Sequence, residues 1–62
     1  MKIDIKFKPI KNNNGRITVR HDILTSGIIL YADKDTIIVH DDTTNTDITF
    51  KTNEIFYIQV LK

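Results

Sequence analysis

Apolar and polar residues alternate from the start of the chain. Ile3, Ile5 and Phe7 fall on one side of an extended segment, and Lys2, Asp4, Lys6 and Lys8 on the other. That period-two pattern predicts a half-buried strand. Pro9 has no amide hydrogen to give a sheet ladder, so the strand should end there or lie on an edge. Asn12-Asn13-Asn14-Gly15 follows, and Asn-Gly supplies the positive φ angles of a tight hairpin turn. A second strand is predicted from about Arg16 to Leu24, with Ile17, Val19 and Ile23 on one face. A bend or turn is expected within it at His21-Asp22.

Two short runs then lack alternation. Ser26-Gly27 opens Ile28-Ile29-Leu30-Tyr31, and the polar turn Asp33-Lys34-Asp35-Thr36 leads to Ile37-Ile38-Val39. Being apolar on both faces, these runs are expected to be the most buried part of the molecule. The stretch from Asp41 to Asp47 has nothing to bury and reads as an exposed loop. Alternation resumes at Ile48-Thr49-Phe50-Lys51, and a brief Thr52-Asn53 connection precedes a last strand, Ile55 to Leu61.

β-Branched residues recur throughout, whereas alanine occurs once. Such side chains suit a pleated sheet and lose rotamer freedom in a helix. The prediction is one all-β domain spanning residues 1–62: a small five-stranded antiparallel barrel with an N-terminal β-hairpin and no substantial helix.

Size sharpens this picture. A chain of 62 residues buries only roughly 60% of its unfolded surface, so domains of this class lean on disulfides, metals or partners. Cysteine is absent, which removes disulfides and thiolate metal sites together. Association with a second copy or another protein is therefore expected. No apolar run approaches the ~20 residues of a membrane span. The Lys- and Asp-interrupted N-terminus is unlike a signal peptide, so a cytoplasmic location is expected.

The formal charge is +1, without the strong basic excess of a dedicated nucleic-acid binder. The charges are segregated, however. Lys6, Lys8, Lys11, Arg16 and Arg20 form a candidate basic patch in the first third, while Asp33, Asp35, Asp41, Asp42 and Asp47 come later. The richness in Ile, Asn, Asp, Lys and Thr resembles the usage of low-GC bacteria and their phages.

The segment GIILYAD (Gly27 to Asp33) followed by KDTIIVHD (Lys34 to Asp41) resembles the Sm-like family, whose bacterial members include Hfq. In that family a strand opens on Gly, reaches an Asp six residues later and continues into a buried aliphatic strand. Gly permits the sharp bend of a curling sheet, and Asp folds its side chain onto the next turn. ITFKTNEIFYIQV likewise resembles the family's last hairpin, giving a match over roughly residues 17–60. Small Src-homology-like barrels share the same pattern. Two departures stand out. The N-terminus reads as a strand and turn where the family carries a helix. Lys34 and Asp35 replace the Gln and aromatic residue that contact bases in Hfq, and Thr52-Asn53 replaces its Lys-His. The resemblance speaks for a fold more than for RNA binding.

No active site is expected. His21-Asp22 and His40-Asp41 are adjacent in sequence, and adjacent strand residues face opposite ways. The single serine, Ser26, would need distant partners to form a triad. His21, in register with Ile17, Val19 and Ile23, reads as a partly buried, hydrogen-bonded core residue. Asp41, Asp42, Asn45 and Asp47 lack the spacing and the glycine of a calcium loop. No metal and no cofactor are expected.

What remains is binding. Tyr31, Lys34 and Lys51 are candidate RNA contacts, because rings stack on bases while lysines meet phosphates. Ile55, Phe56, Tyr57 and Ile58 are a candidate subunit or partner interface, because the last strand is apolar on both faces. The expected function is a non-enzymatic binding module that self-associates through strand edges, with RNA as a candidate ligand. The alternative is a phage or mobile-element protein that docks on a host or defence protein and modulates it.

Overall fold

A computed structural model describes residues 1–62. Eight strand segments follow one another: β1 (Lys2–Phe7), β2 (Ile10–Lys11), β3 (Ile17–Thr18), β4 (His21–Leu24), β5 (Gly27–Ala32), β6 (Thr36–Asp41), β7 (Thr46–Lys51) and β8 (Ile55–Leu61). A single 3-10 turn, Thr52–Glu54, is the only helical element, and no helix is long and apolar enough to cross a membrane. The chain is all-β, as its β-branched composition predicts.

Three antiparallel sheets result, ordered β4-β1-β8, β2-β3 and β5-β6-β7. No ladder joins the two three-stranded sheets, so they form open sheets rather than a closed barrel. They meet at a corner, where β4 passes into β5 through Thr25 and Ser26. There Gly27 N–H donates to Met1 O at 2.7 Å, and Asp42 N–H donates to Ser26 O at 2.9 Å. A Cβ on Gly27 would stand 2.7 Å from the His40 carbonyl oxygen, which explains why this position carries no side chain.

The core is small: Ile3, Ile5, Phe7, Ile37, Val39, Phe50 and Ile55, with Leu24, Ile48 and Ile58 packed against it. The alternation of β1 therefore resolves as predicted, with Ile3, Ile5 and Phe7 inward, and the strand stops before Pro9. Phe7 and Phe50 place their rings 5.5 Å apart across the two sheets.

Several sequence expectations fail in instructive ways. The expected strand from Arg16 to Leu24 breaks at Val19-Arg20, and Ile17, Val19 and Ile23 are all exposed rather than inward. Ile28, Ile29, Leu30 and Tyr31 are exposed too, because β5 is an edge strand with a neighbour on one side only. The other apolar run behaves as predicted, with Ile37 and Val39 buried in the central strand β6. The acidic loop shrinks to residues 42–45. Asp41 closes β6 as a buried residue whose Oδ1 accepts the Thr43 N–H, and Thr46 and Asp47 belong to β7.

The N-terminal hairpin is built on Asn12 and Gly15. Asn12 Oδ1 accepts the N–H groups of Asn14 and Arg16, and Gly15 takes φ +78° while Asn14 does not enter the left-handed region. The turn thus uses one left-handed glycine rather than an Asn-Gly pair. Every residue from Lys8 to His21 is exposed. The radius of gyration, 12.5 Å, exceeds the roughly 10–11 Å of a compact chain this long.

Candidate functional site

One groove indents the molecule, with a volume of about 340 Å³ and a lining of Lys34, Asp35, Thr36, Lys51 and Asn53. Two turns build it. Asp33 Oδ1 accepts the N–H groups of Asp35 and Thr36, folding the first turn as the sequence suggests. The second turn, Thr52–Glu54, is laced to the first: Thr52 N–H donates to Asp35 O at 3.1 Å and Thr52 Oγ1 to Asp33 O at 2.9 Å. Thr36 pairs with Lys51 across the β6–β7 ladder. Lys34 and Lys51, far apart in sequence, thereby flank one groove.

No hydrophobic side chain lines this groove, unlike most small-molecule pockets. Two ammonium groups against one carboxylate, with a hydroxyl and an amide beside them, suit a small anionic group such as a phosphate. Tyr31 stands aside on β5. Its ring is exposed, but its hydroxyl donates to Asp33 Oδ2, and that bond pushes the phenol up and holds the carboxyl down.

The predicted basic patch divides. Lys11 and Arg16 stay on the hairpin, and Lys8 follows β1 with its N–H donating to Glu54 O. Lys6 sits across the ladders from His21 and Tyr57. Arg20 is occupied: both its Nε and Nη2 donate to Asp22, and its guanidinium lies 4.3 Å from the centre of the Phe7 ring. On the last strand, Ile55 is part of the core and Ile58 packs against it, whereas Phe56 is 65% exposed.

A second constellation has no precursor in the sequence reading. Asp4 lies on the face of β1 turned away from Ile3 and Ile5, yet it is buried beneath its neighbours. His21 Nε2 hydrogen-bonds its Oδ1, while Tyr57 Oη donates to Oδ2 at 3.1 Å and Gln59 Nε2 approaches Oδ2 at 3.5 Å. The His21 bond, foremost, holds the Asp4 carboxyl below its usual range, against the opposing effect of desolvation. His21 is hydrogen-bonded as expected, but it sits on this outer face rather than in the core. Strand alternation alone identifies the face of Asp4. Only the β4-β1-β8 register brings the three donors to it.

His40 carries the other charged cluster. Its Nδ1 lies 2.7 Å from Asp47 Oδ1 and its Nε2 3.4 Å from Asp42 Oδ1. The Asp47 hydrogen bond first, then the fields of Asp47, Asp42 and Asp41, raise the His40 pKa above 6.5 despite desolvation. A raised histidine pKa stabilises the fold fully below the unfolded value and loses that contribution as pH rises through the folded value. Replacing His40 with glutamine should therefore flatten the fall in melting temperature as pH rises above the ordinary histidine range. Parallel melts of both proteins across that rise in pH check it, and an unchanged pH slope would remove His40 from the account. No group of three or more His, Asp or Glu side chains is arranged to hold a metal ion.

Comparison of the chain with protein-family models, with characterised proteins and with solved structures finds no match in any of the three.

Proposed function

We propose that the chain is a non-enzymatic binding module of the small five-stranded barrel type, resembling Sm-like and Src-homology-like domains. It self-associates through strand edges and contacts RNA backbone at the Lys34–Lys51 groove. The barrel reading draws support from the corner at Gly27. If β4 and β5 count as one strand bent across both sheets, the five strands run β8-β1-β4/β5-β6-β7. Strands that switch sheets at a bend are how orthogonally packed sheets make their corners.

The observation that carries the RNA part is the convergence of Lys34 and Lys51 on a groove lined by no hydrophobic residue. Lysines placed so suit successive phosphates, and the exposed Tyr31 ring on the adjoining strand offers a base a stacking surface. Self-association is favoured by open sheet edges and by a core of only seven buried hydrophobic residues.

Fluorescence anisotropy with a single-stranded RNA oligomer at several salt concentrations tests the RNA part. Replacing Lys34 and Lys51 together with glutamine should weaken binding at least about tenfold near 0.1 M salt and flatten the log–log salt slope by about 1.4. Absence of salt-sensitive binding by the parent protein, or equal binding by the double variant, would overturn it.

A further inference from the structure

β5 is the most exposed apolar strand of the molecule. Ile28, Ile29, Leu30 and Tyr31 follow one another at 42%, 37%, 50% and 50% exposure, and only β6 pairs with the strand. Beyond Gly27, whose N–H is taken by Met1 O, its other edge leaves backbone N–H and C=O groups without strand partners. Natural edge strands are commonly guarded by charges, proline or a bulge that turns the edge away. The other edges are guarded or spent. β4 presents His21 and Asp22 beside Arg20, and β7 carries Asp47 and Lys51. β8 has no charge, but Ile55 and Ile58 serve the core and Tyr57 serves Asp4.

β5 carries no charge from Gly27 to Ala32. It does contain a bulge between Ile29 and Tyr31, yet the extra residue there is Leu30, an apolar side chain at half exposure. A bulge that presents leucine does not repel a second strand.

We propose that β5 pairs antiparallel with β5 of a second copy about a two-fold axis, joining two three-stranded sheets into one of six strands. The inference rests on the self-association part of the proposed function and names the edge that performs it. Two observations favour a second copy as the occupant. First, β5 is apolar on both faces: Ile28 and Tyr31 lie beside His40 and Ile38, Ile29 and Ala32 beside Val39 and Ile37. A matching strand must be apolar on both faces as well, and β5 itself is such a strand. Second, its two ends are complementary. Ser26 Oγ holds Asp42 at the start, with the Asp42 side chain 48% exposed, and Lys34 follows the end. Antiparallel pairing sets the start of one strand beside the end of the other, so Asp42 of each copy comes near Lys34 of its mate. Asp33, at that same end, is already engaged by Tyr31, Asp35 and Thr36.

Sedimentation velocity of the intact chain at tens of micromolar tests this, with circular dichroism to verify folding. The parent protein should sediment as a dimer, and Leu30→Lys should raise the dissociation constant at least ~100-fold by setting two lysines together in a desolvated strip. Phe56→Lys, at the most exposed apolar position of β8, should leave the dimer intact. Should Leu30→Lys lose its sheet signal, Ile28→Lys probes the same edge from the outer face. A monomeric parent protein would overturn both this inference and the self-association reading. An oligomer dissolved by Phe56→Lys but not by the β5 variants would overturn the β5 assignment alone, as would a ring of more than two copies.

Discussion

Truncating Ile5 to alanine is expected to remove about half of the stability of this protein. Ile5 is wholly buried at the middle of β1, the central strand of its sheet, flanked in register by Asp22 and Ile58. Removing a large aliphatic side chain from such a position costs about 2–5 kcal/mol, through lost transfer energy and the cavity left behind. Roughly 0.05–0.15 kcal/mol per residue gives a chain this short only about 3–9 kcal/mol in total. With seven buried hydrophobic residues, few neighbours can move in to fill the gap. Ile23→Ala is the matching control, since Ile23 is 52% exposed on the outer face of the same sheet. It should cost under about 1 kcal/mol. Urea titrations of the two variants decide the matter: the midpoint should fall sharply for Ile5→Ala with little change in slope. Equal losses would mean that the inward face of β1 is not where the stability resides.

The second large effect belongs to Gly27. Its φ is unremarkable, so the requirement for glycine there comes from space alone. An added Cβ would meet the His40 carbonyl oxygen at 2.7 Å and Ile3 Cδ1 at 3.4 Å. The first neighbour is backbone of β6 and has little freedom to withdraw. The corner is also clamped by the Gly27 and Asp42 N–H bonds to Met1 O and Ser26 O. Gly27→Ala should cost about 1–3 kcal/mol as overpacking, and Gly27→Val more. Each kcal/mol lowers the melting temperature of a domain this size by about 4–8 °C, so thermal melts resolve the effect readily. A melt equal to that of the parent protein would show that the corner relaxes freely.

Much of this arrangement is legible in the sequence, for reasons that differ from residue to residue. Ile3, Ile5 and Phe7 declare themselves because one face of β1 is buried and alternation follows the pleat directly. Pro9 and the Asp33 turn are legible because their chemistry is local: a missing donor in one, an oxygen within reach of two amides in the other. The exposure of Ile28 to Tyr31 is not legible. An apolar run reports that a strand can be covered on both faces, and says nothing of whether another strand lies beside it. The Asp4 cluster is hidden for a related reason. Its donors come from 17 to 55 residues away, and only the registers of two ladders decide that they converge. Lys34 and Lys51 fall between these cases: residue type nominates them, and the lacing of two turns makes them neighbours.

The hairpin carrying β2 and β3 has a consequence of another kind. Its residues from Lys8 onward are exposed, and no buried hydrophobic residue belongs to it. Opening it therefore costs its own few hydrogen bonds and leaves the apolar cluster closed, so its amides exchange with solvent through local fluctuations. Substitutions and insertions near Asn13 carry little energetic penalty for the sheets below. The molecule thus separates a part that must be kept from a part that can be rewritten, and new recognition sequences have a natural place to arise between Lys11 and Arg16.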